Sequence, residues 1–343
     1  MPKTATTTVQ NWLIANAKAL REIGIFTFGG TRFAHRIAVE AVTDPQKRQR
    51  KDISQMLAGT PLEWATSDLE TALNDPTTKS AIISSEYFSI SDPVLVRAYF
   101  ENCGFTKQCL LVVLRRQDRY LEANYSQTAI HMERVDPLAK QHVYDPGYDW
   151  HAWLSRWNNV YGKPSMRTFL FEDLVQTGDF IASLFNCVGQ EIQHLGQTNP
   201  VSERSNPSLP AALIEFKRLA NRLGTFDVLP LLERANRSGV GGPPFRLKRE
   251  LAKQILDIYR ESNRKVAREF FNREGELFDE SDIEGEPTGA DYTGNLPVEM
   301  LAMLFALHLQ DHAEHTKQLK DSIEQLAAKI DAALSKGDKP QQG

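Results

Sequence analysis

The sequence predicts an α/β fold in which short parallel strands lie between helices, with a separate helix near the C-terminus. Short apolar runs that lead into polar residues alternate with stretches of helical periodicity, the pattern of buried parallel strands joined by helices. The segment 279–295 is rich in Asp, Glu, Gly and Pro, which is typical of a flexible acidic linker. Beyond it, 296–335 has the apolar spacing of a helix. We therefore expect a domain at 1–278, the linker and a terminal helix.

Composition and charge exclude several classes of protein. The 343 residues are 41% hydrophobic and 24% charged, enough for one large domain with a substantial core. The formal net charge of -4 argues against nucleic-acid binding, which usually requires a basic excess. The three cysteines lack C-x-x-C spacing, which favours a reducing cytoplasm over a disulfide framework. No run of about 18 apolar residues and no secretory signal is present, so neither export nor a transmembrane segment is predicted; peripheral attachment to the inner face of the membrane stays open.

The elements of the predicted domain follow one another in strand and helix order. Apolar residues from Val9 to Leu20 recur at helical spacing, and Gly24 ends this helix before a strand at 25–28. Because ligands of parallel sheets bind at the carboxyl ends of strands, the residues that follow each strand are candidates for a site. Further strands are predicted at 81–83, 109–114 and 166–171. Further helices are predicted at 117–132, 178–188, 211–223 and 247–271.

The C-terminal helix carries a heptad pattern. Leu319, Ile323, Leu326 and Ile330 follow one another at alternating steps of four and three residues, as in the seam of a coiled coil. Aligned apolar side chains are costly to leave in water, so we predict a seam that joins two chains into a homodimer. Packing of this helix back onto the core is the alternative that the pattern leaves open.

The first candidate site is the segment Pro2 to Thr8, immediately ahead of the first helix. It places Lys3 and several hydroxyl groups where backbone N–H groups point outward at a helix N-terminus, and such a place binds phosphate. The alternative is a tail in which a threonine only caps the helix. The Walker sequence G-x-x-x-x-G-K-[ST] does not occur, which disfavours an ordinary P-loop kinase.

This segment resembles the 5'-phosphosulfate-binding loop of sulfotransferases that use 3'-phosphoadenosine-5'-phosphosulfate (PAPS), whose usual form is P-K-[ST]-G-T-[ST]. Ala5 stands where glycine is usual, and a methyl group there would crowd the phosphate if the position needs a positive φ. The resemblance implies that Lys3 contacts the 5'-phosphate and the oxygen that bridges to sulfur. The other residues that it assigns to cofactor binding are Thr4, Ala5, Thr6, Thr7 and Thr8.

A second segment, from Leu114 to Tyr125, resembles the 3'-phosphate-binding segment of the same superfamily. Arg115 takes the position of the arginine whose guanidinium group recognises the 3'-phosphate. Ala123 stands where the family has a serine partner, so one hydroxyl donor is lost. A solvated pair of arginines at a strand end is the alternative interpretation.

A third segment, Ser84-Ser85-Glu86, resembles the position where many sulfotransferases carry a catalytic histidine and where bacterial carbohydrate-modifying relatives often show S-S-E. Glu86 is then the general base that removes the proton of the acceptor hydroxyl. A carboxylate that only caps a helix is the alternative. His35 is the competing base, because histidine titrates near neutral pH.

The resemblance covers 1–278 and implies a three-layer P-loop-like sheet flanked by helices, with PAPS as co-substrate, no metal, and a hydroxyl of a carbohydrate or glycoconjugate as acceptor. The phosphate loop of this fold follows a central strand, yet only Met1 precedes Pro2. We therefore expect that the first central strand is missing here and that the natural protein begins upstream. A kinase-like phosphotransferase and a catalytically degenerate sulfotransferase fold that binds a glycan or a partner are the alternatives.

Overall fold

A computed structural model describes 3–41, 59, 61–138, 144–186, 188, 209–224, 228–240, 242–284 and 298–337. The described chain is mostly helical with two small parallel sheets, which agrees with a loosely α/β fold. It divides into two compact units. The first unit comprises Met1–Tyr125, Leu138–Pro207 and Leu247–Pro287, and the second comprises Ser126–Pro137, Ser208–Arg246 and Thr288–Gly343.

Four short strands lie in the first unit and form two parallel pairs. They are β1 (Ile25–Phe26), β2 (Ser80–Ala81), β3 (Leu110–Leu114) and β4 (Met166–Leu170). β1 pairs with β2 in the register Ile25 to Ser80, and β3 pairs with β4 in the register Leu110 to Met166. All four begin within a few residues of the predicted strands, because continuous apolar runs mark buried parallel strands.

Fourteen α-helices are present in the described residues. Those of the first unit are α1 (Thr6–Ala15), α2 (Ala17–Glu22), α3 (Thr31–Arg36), α4 (Leu62–Asn74), α5 (Pro93–Asn102), α7 (Trp150–Tyr161), α8 (Phe171–Gln176), α9 (Phe180–Phe185), α12 (Arg249–Phe271) and α13 (Ser281–Glu284). Helix α6 (Gln117–His131) begins in the first unit and ends in the second. Those of the second unit are α10 (Ala211–Arg222), α11 (Leu229–Arg237) and α14 (Val298–Gly337).

The predicted first helix is divided in two at Asn16. This residue has φ -105° and ψ 9°, and its side-chain amide donates to the carbonyl oxygen of Trp12 over 2.9 Å. Gly24 ends the second part as predicted, with φ 82°. A Cβ at Gly24 would lie 2.7 Å from the carbonyl oxygen of Thr77, so both the conformation and the close approach of the chain to β2 require glycine there.

Consecutive residues of β3 belong to two different apolar clusters. Val113 packs with Trp12 of α1 and Phe185 of α9, whereas Leu114 packs with Trp150 of α7 and the α12 helix. Successive side chains of a strand point to opposite faces, so helices cover both faces of the β3–β4 pair. Ile25 of β1 shares the first cluster, which places β1 under α1 as well.

The predicted linker begins as ordered structure. Ser281–Glu284 forms α13, Ile283 is buried, and Asp282 pairs with two arginines of the first unit. An acidic side chain of this segment therefore forms ion pairs with Arg116 and Arg119, a role that the composition of the segment does not predict. The remainder of the predicted linker, 285–295, lies outside the described residues. None of the helices in the described ranges is long and apolar enough to cross a membrane.

Candidate functional site

The loop ahead of α1 has an unusual backbone. Lys3 and Ala5 have φ values of 62° and 58°, in the left-handed region, while Thr4 between them is buried. Alternation of this kind turns successive N–H groups toward one side of the chain and forms an anion-binding concavity at a helix N-terminus. Ala5 is the N-cap residue and offers no side chain to cap the first turn. The geometry therefore differs from that of a threonine-capped tail.

Lys3 lies in a partly desolvated and electrostatically mixed environment. Burial lowers the pKa of its ammonium group to about 8, the Glu86 carboxylate opposes this shift, and the Arg115 guanidinium adds to it. Charged groups that are removed from water gain strongly from an opposite charge. The positive charges of Lys3 and Arg115 therefore repel each other, and an anion bound beside both would reduce this repulsion.

Arg115 holds the loop. Its Nη1 donates to the carbonyl oxygen of Lys3 over 2.7 Å, and its guanidinium carbon lies 4.7 Å from the ring centre of Phe171. The carbonyl oxygen of Arg115 in turn accepts from the indole nitrogen of Trp150 over 2.9 Å. These contacts join the end of β3, the start of α8 and the loop ahead of α1.

Glu172 completes the wall behind Arg115. Burial raises the pKa of this carboxyl group, against hydrogen bonds from the backbone N–H groups of Glu172 and Arg116 and the charges of Arg115 and Arg116. Its Oε2 atom is buried without a hydrogen-bond partner. The segment from Phe169 to Leu174, at the end of β4 and the start of α8, therefore supplies both the Phe171 ring and the Glu172 carboxyl group that lie beside Arg115.

The neighbouring Arg116 has a different environment. It is 3% exposed and donates to both carboxylate oxygens of Asp118 over 2.8 and 2.9 Å, to the carboxylate of Asp282, and to the carbonyl oxygen of Asp279. Burial alone would lower the pKa of Arg116, but these hydrogen bonds outweigh burial and raise it. Arg119 joins the same group through Asp282 and Glu122. With three carboxylates for two guanidinium groups, this cluster is no anion site.

Glu86 and His35 meet beside the loop ahead of α1. The Oε2 atom of Glu86 lies 3.8 Å from Nε2 of His35 and accepts from the side-chain amide of Gln10 over 3.1 Å. The Nδ1 atom of His35 lies 2.8 Å from the hydroxyl oxygen of Ser85. A short 3-10 helix, Glu86–Ile90, follows Ser85. The Ser85 hydroxyl caps this helix by accepting from the backbone N–H of Tyr87, so Glu86 does not serve as the capping acid.

The two candidate bases differ in exposure. The side chain of Glu86 is 33% exposed, whereas that of His35 is 7% exposed. Burial lowers the pKa of His35, with the Glu86 carboxylate opposing the shift. His35 is thus a neutral imidazole near pH 7 that contacts Ser85 and Glu86 from the interior. Of the two side chains, that of Glu86 is therefore the more accessible to solvent.

The remaining residues predicted for the site are Thr6, Thr7, Thr8 and Ala123. Thr6, Thr7 and Thr8 form the first turn of α1, and only Thr7 is fully exposed. Ala123 lies inside α6 and is half-buried, so it offers a methyl group and a helical backbone but no donor. Lys3, Glu86, His35 and Arg115 are therefore brought together from distant parts of the chain.

Gln10 is a site residue that sequence reasoning missed. Gln10 is 5% exposed and joins Glu86 to the carbonyl oxygen of Ser84, over 3.1 and 3.3 Å. The only feature of the sequence that could have indicated a site role for Gln10 is its position one helical turn after Thr6, because residues four apart share one face of a helix. A shallow groove adjoins Gln10 and Ser84, and its other walls are mostly apolar side chains of α1 and of the β1 and β2 regions.

No protein-family model, no curated protein and no solved structure matches this chain. Within the described ranges, no three His, Cys, Asp or Glu side chains are grouped so that they could hold a metal ion.

Proposed function

We propose that this protein is a sulfotransferase that moves the sulfuryl group of PAPS to a hydroxyl of a carbohydrate or glycoconjugate. The observation that carries this proposal is the meeting of three segments that lie far apart in the sequence. Arg115 donates to the Lys3 carbonyl over 2.7 Å, and the Glu86 carboxylate acts on the Lys3 ammonium. In order along the chain, Lys3, Glu86 and Arg115 match the 5'-phosphosulfate, base and 3'-phosphate positions of the family that the sequence resembles.

The loop ahead of α1 supports the binding of a nucleotide that carries phosphate groups at two positions. The left-handed residues Lys3 and Ala5 direct backbone N–H groups outward ahead of α1, and Lys3 and Arg115 supply two positive charges. In this proposal the loop holds the 5'-phosphosulfate and Arg115 holds the 3'-phosphate. Charge from lysine, arginine and helix-end amides then replaces the metal ion that a kinase would use.

The proposed reaction is an in-line substitution at sulfur. The acceptor oxygen forms the new S–O bond, the bond between sulfur and the bridging phosphate oxygen breaks, and adenosine 3',5'-bisphosphate leaves. Glu86 takes the proton of the acceptor hydroxyl, while Lys3 offsets the negative charge that grows on the bridging oxygen. Gln10 fixes Oε2 of Glu86 over 3.1 Å, and His35 positions the same carboxylate from the interior.

The strand arrangement supports the finer fold that this proposal requires, a three-layer P-loop-like sheet. The described strands form two parallel pairs, and the residues after β2 and after β3 both reach the Lys3 loop. Helices on both faces of the β3–β4 pair supply the outer layers.

Ligand binding tests the proposal against a phosphotransferase. We expect isothermal titration to give tighter binding for adenosine 3',5'-bisphosphate than for ATP with magnesium. Lys3→Ala should weaken the bisphosphate, whereas Lys18→Ala, at an exposed position of α2, should leave it unchanged. Tighter binding of ATP with magnesium would replace the proposal with a kinase-like activity.

Transfer assays test the chemistry and the assignment of the base. Radiolabelled PAPS is expected to transfer sulfate to a mixture of sugars and glycoconjugates. Glu86→Gln should spare nucleotide binding and lower turnover by about 100-fold or more, and the exposed Glu63→Gln serves as the matched control. Normal turnover in Glu86→Gln together with a loss in His35→Ala would make His35 the base. Bisphosphate binding without any transfer would favour a degenerate sulfotransferase fold, as Ala5 and Ala123 suggest.

A further inference from the structure

Helix α14 has two parts with different surroundings. In its first part Leu304 is 2% exposed, α14 packs against α11, and Arg234 of α11 donates to Gln310 over 3.2 Å. Farther along, every side chain from Thr316 to Leu326 is exposed. The side chains of this second part therefore face solvent on all sides of the helix.

The exposed part carries the heptad seam, here defined as Leu319, Ile323 and Leu326. These side chains are 51%, 66% and 60% exposed. Their steps of four and three residues place them in one narrow stripe, which Ile330 continues in the sequence. Such a stripe is matched in width by a second helix with the same spacing.

The residue types favour one kind of partner. With Leu319 and Leu326 at d positions, Ile323 and Ile330 fall at a positions. β-branched residues at a with leucine at d favour parallel, two-stranded coiled coils. A second copy of the chain presents the same stripe in the same order, so it satisfies this pattern without any further component.

The flanks of the stripe argue against a lipid surface as the occupant. A membrane-bound amphipathic helix needs a broad apolar face with basic residues beside it. Here the residues between the seam positions are polar or acidic as well as basic, including Asp321, Glu324 and Gln325. The apolar stripe is one side chain wide, which suits a coiled coil and not the acyl boundary of a bilayer.

We propose that the seam of α14 joins two copies of this chain in a parallel two-stranded coiled coil. This inference is independent of the proposed sulfotransferase activity, because no seam residue belongs to the candidate site. The assembly has two-fold symmetry about the coil axis, so each residue of the seam meets the same residue of the second copy.

Analytical ultracentrifugation of the full chain at micromolar concentration tests this inference. We expect a dimer, and the double variant Ile323→Glu, Leu326→Glu should raise its dissociation constant by about 100-fold or more, since each change removes two buried apolar side chains. The matched control is Gln318→Glu, Gln325→Glu, which adds the same charge outside the seam and should stay dimeric. Glutamate is a good helix former, and circular dichroism checks that both variants are folded.

Cysteine cross-linking tests the parallel orientation. Ile323→Cys should form a disulfide between two copies under oxidation, whereas Gln325→Cys and the unmodified chain, with its own cysteines, should not. A monomeric wild-type chain overturns the inference, as does a double-glutamate variant that remains dimeric. A dimer without cross-linking at 323 indicates antiparallel helices and overturns the parallel arrangement. A monomer that sediments with anionic lipid vesicles would instead assign the stripe to a membrane surface.

Discussion

Arg115 and Arg116 are adjacent in the sequence, yet they lie in opposite chemical environments. Arg116 is enclosed by the carboxylates of Asp118 and Asp282 and by the carbonyl of Asp279. The Arg115 guanidinium donates to the Lys3 carbonyl and lies over the Phe171 ring, and the buried carboxyl group of Glu172 is close by. Consecutive side chains in extended backbone point to opposite sides, so one arginine faces the loop ahead of α1 and the other faces α13.

A chain with a net charge of -4 thus holds two adjacent arginines whose charges have different partners. Where guanidinium groups are matched by carboxylates, as around Arg116, the charge stabilises the fold and has no affinity left for a ligand. Around Lys3, by contrast, the Arg115 guanidinium lowers the pKa of the lysine and the Glu86 carboxylate opposes that shift.

Removal of Arg116 should have the largest effect on stability. Arg116→Ala leaves Asp118, which is 1% exposed, without its bidentate partner, and breaking a buried pair costs about 3–5 kcal/mol. Urea denaturation measures the free energy of unfolding. The control is Arg115→Ala, which removes hydrogen bonds to a carbonyl and should cost less. Equal midpoints for Arg116→Ala and the wild type would show that the cluster does not stabilise the fold.

Lys3 should make stability rise with pH on the alkaline side. Its pKa is lowered from 10.5 to about 8, so between these values the unfolded chain holds a proton that the folded chain has lost. Stability therefore increases from pH 8 to pH 10.5, by at most about 3 kcal/mol, and this gain is lost as pH falls through 8. The difference between the wild type and Lys3→Met isolates this contribution from other titrating groups. Parallel curves for both proteins would contradict the assignment.

The same shift should link anion binding to proton uptake. A bound phosphate favours the charged ammonium, so binding near pH 8 should take up part of a proton. Titration calorimetry in two buffers of different ionisation enthalpy measures this uptake. Lys3→Met should abolish it, and an unchanged uptake in that variant would locate the proton elsewhere.

Arg115 should contribute to ligand affinity more than to folding. Loss of charge-assisted hydrogen bonds, about 1.5–3 kcal/mol, should weaken adenosine 3',5'-bisphosphate roughly 10- to 100-fold in Arg115→Ala. Arg115→Lys should rescue only part of this, because an ammonium group lacks the planar fork. The exposed Arg237→Ala controls for loss of charge. If Arg116→Ala, measured under conditions where it is folded, weakens binding as much as Arg115→Ala, the division between the two arginines is wrong.

Ala5→Gly should have the smallest effect and the opposite sign. Ala5 has φ 58°, a conformation that costs alanine about 1 kcal/mol more than glycine. The variant is expected to be more stable by about this amount and to bind the bisphosphate up to about fivefold more tightly. Ala98→Gly, at an exposed position inside α5, should instead destabilise the protein by about 1 kcal/mol. Destabilisation by Ala5→Gly would show that the methyl group has packing contacts that outweigh its strain.

The sequence by itself determined the order of the elements and the positions of the candidate groups. The apolar runs before Arg115 and before Phe171 locate β3 and β4, and the helical spacing after Val9 locates α1, because burial imposes these periods locally. Lys3, Arg115 and Glu86 were recognisable as residues that follow strands or precede a helix. At Ala5 a positive φ was only the condition under which its methyl group would crowd a phosphate, and the φ of 58° came from the structure.

Only the tertiary structure decided which of these groups meet and which are neutralised. Nothing near Arg116 in the chain predicts Asp282 as its partner, since 166 residues separate them. Nothing in the sequence distinguishes Gln10 from other residues of α1. In the structure, the turn after β2 brings Oε2 of Glu86 within 3.1 Å of Nε2 of Gln10. Likewise, the exposure of Glu86 and the burial of His35 depend on how α1, α3 and the turn at Ser85 pack together. Charge pairing and desolvation act through space, so a linear sequence cannot specify them.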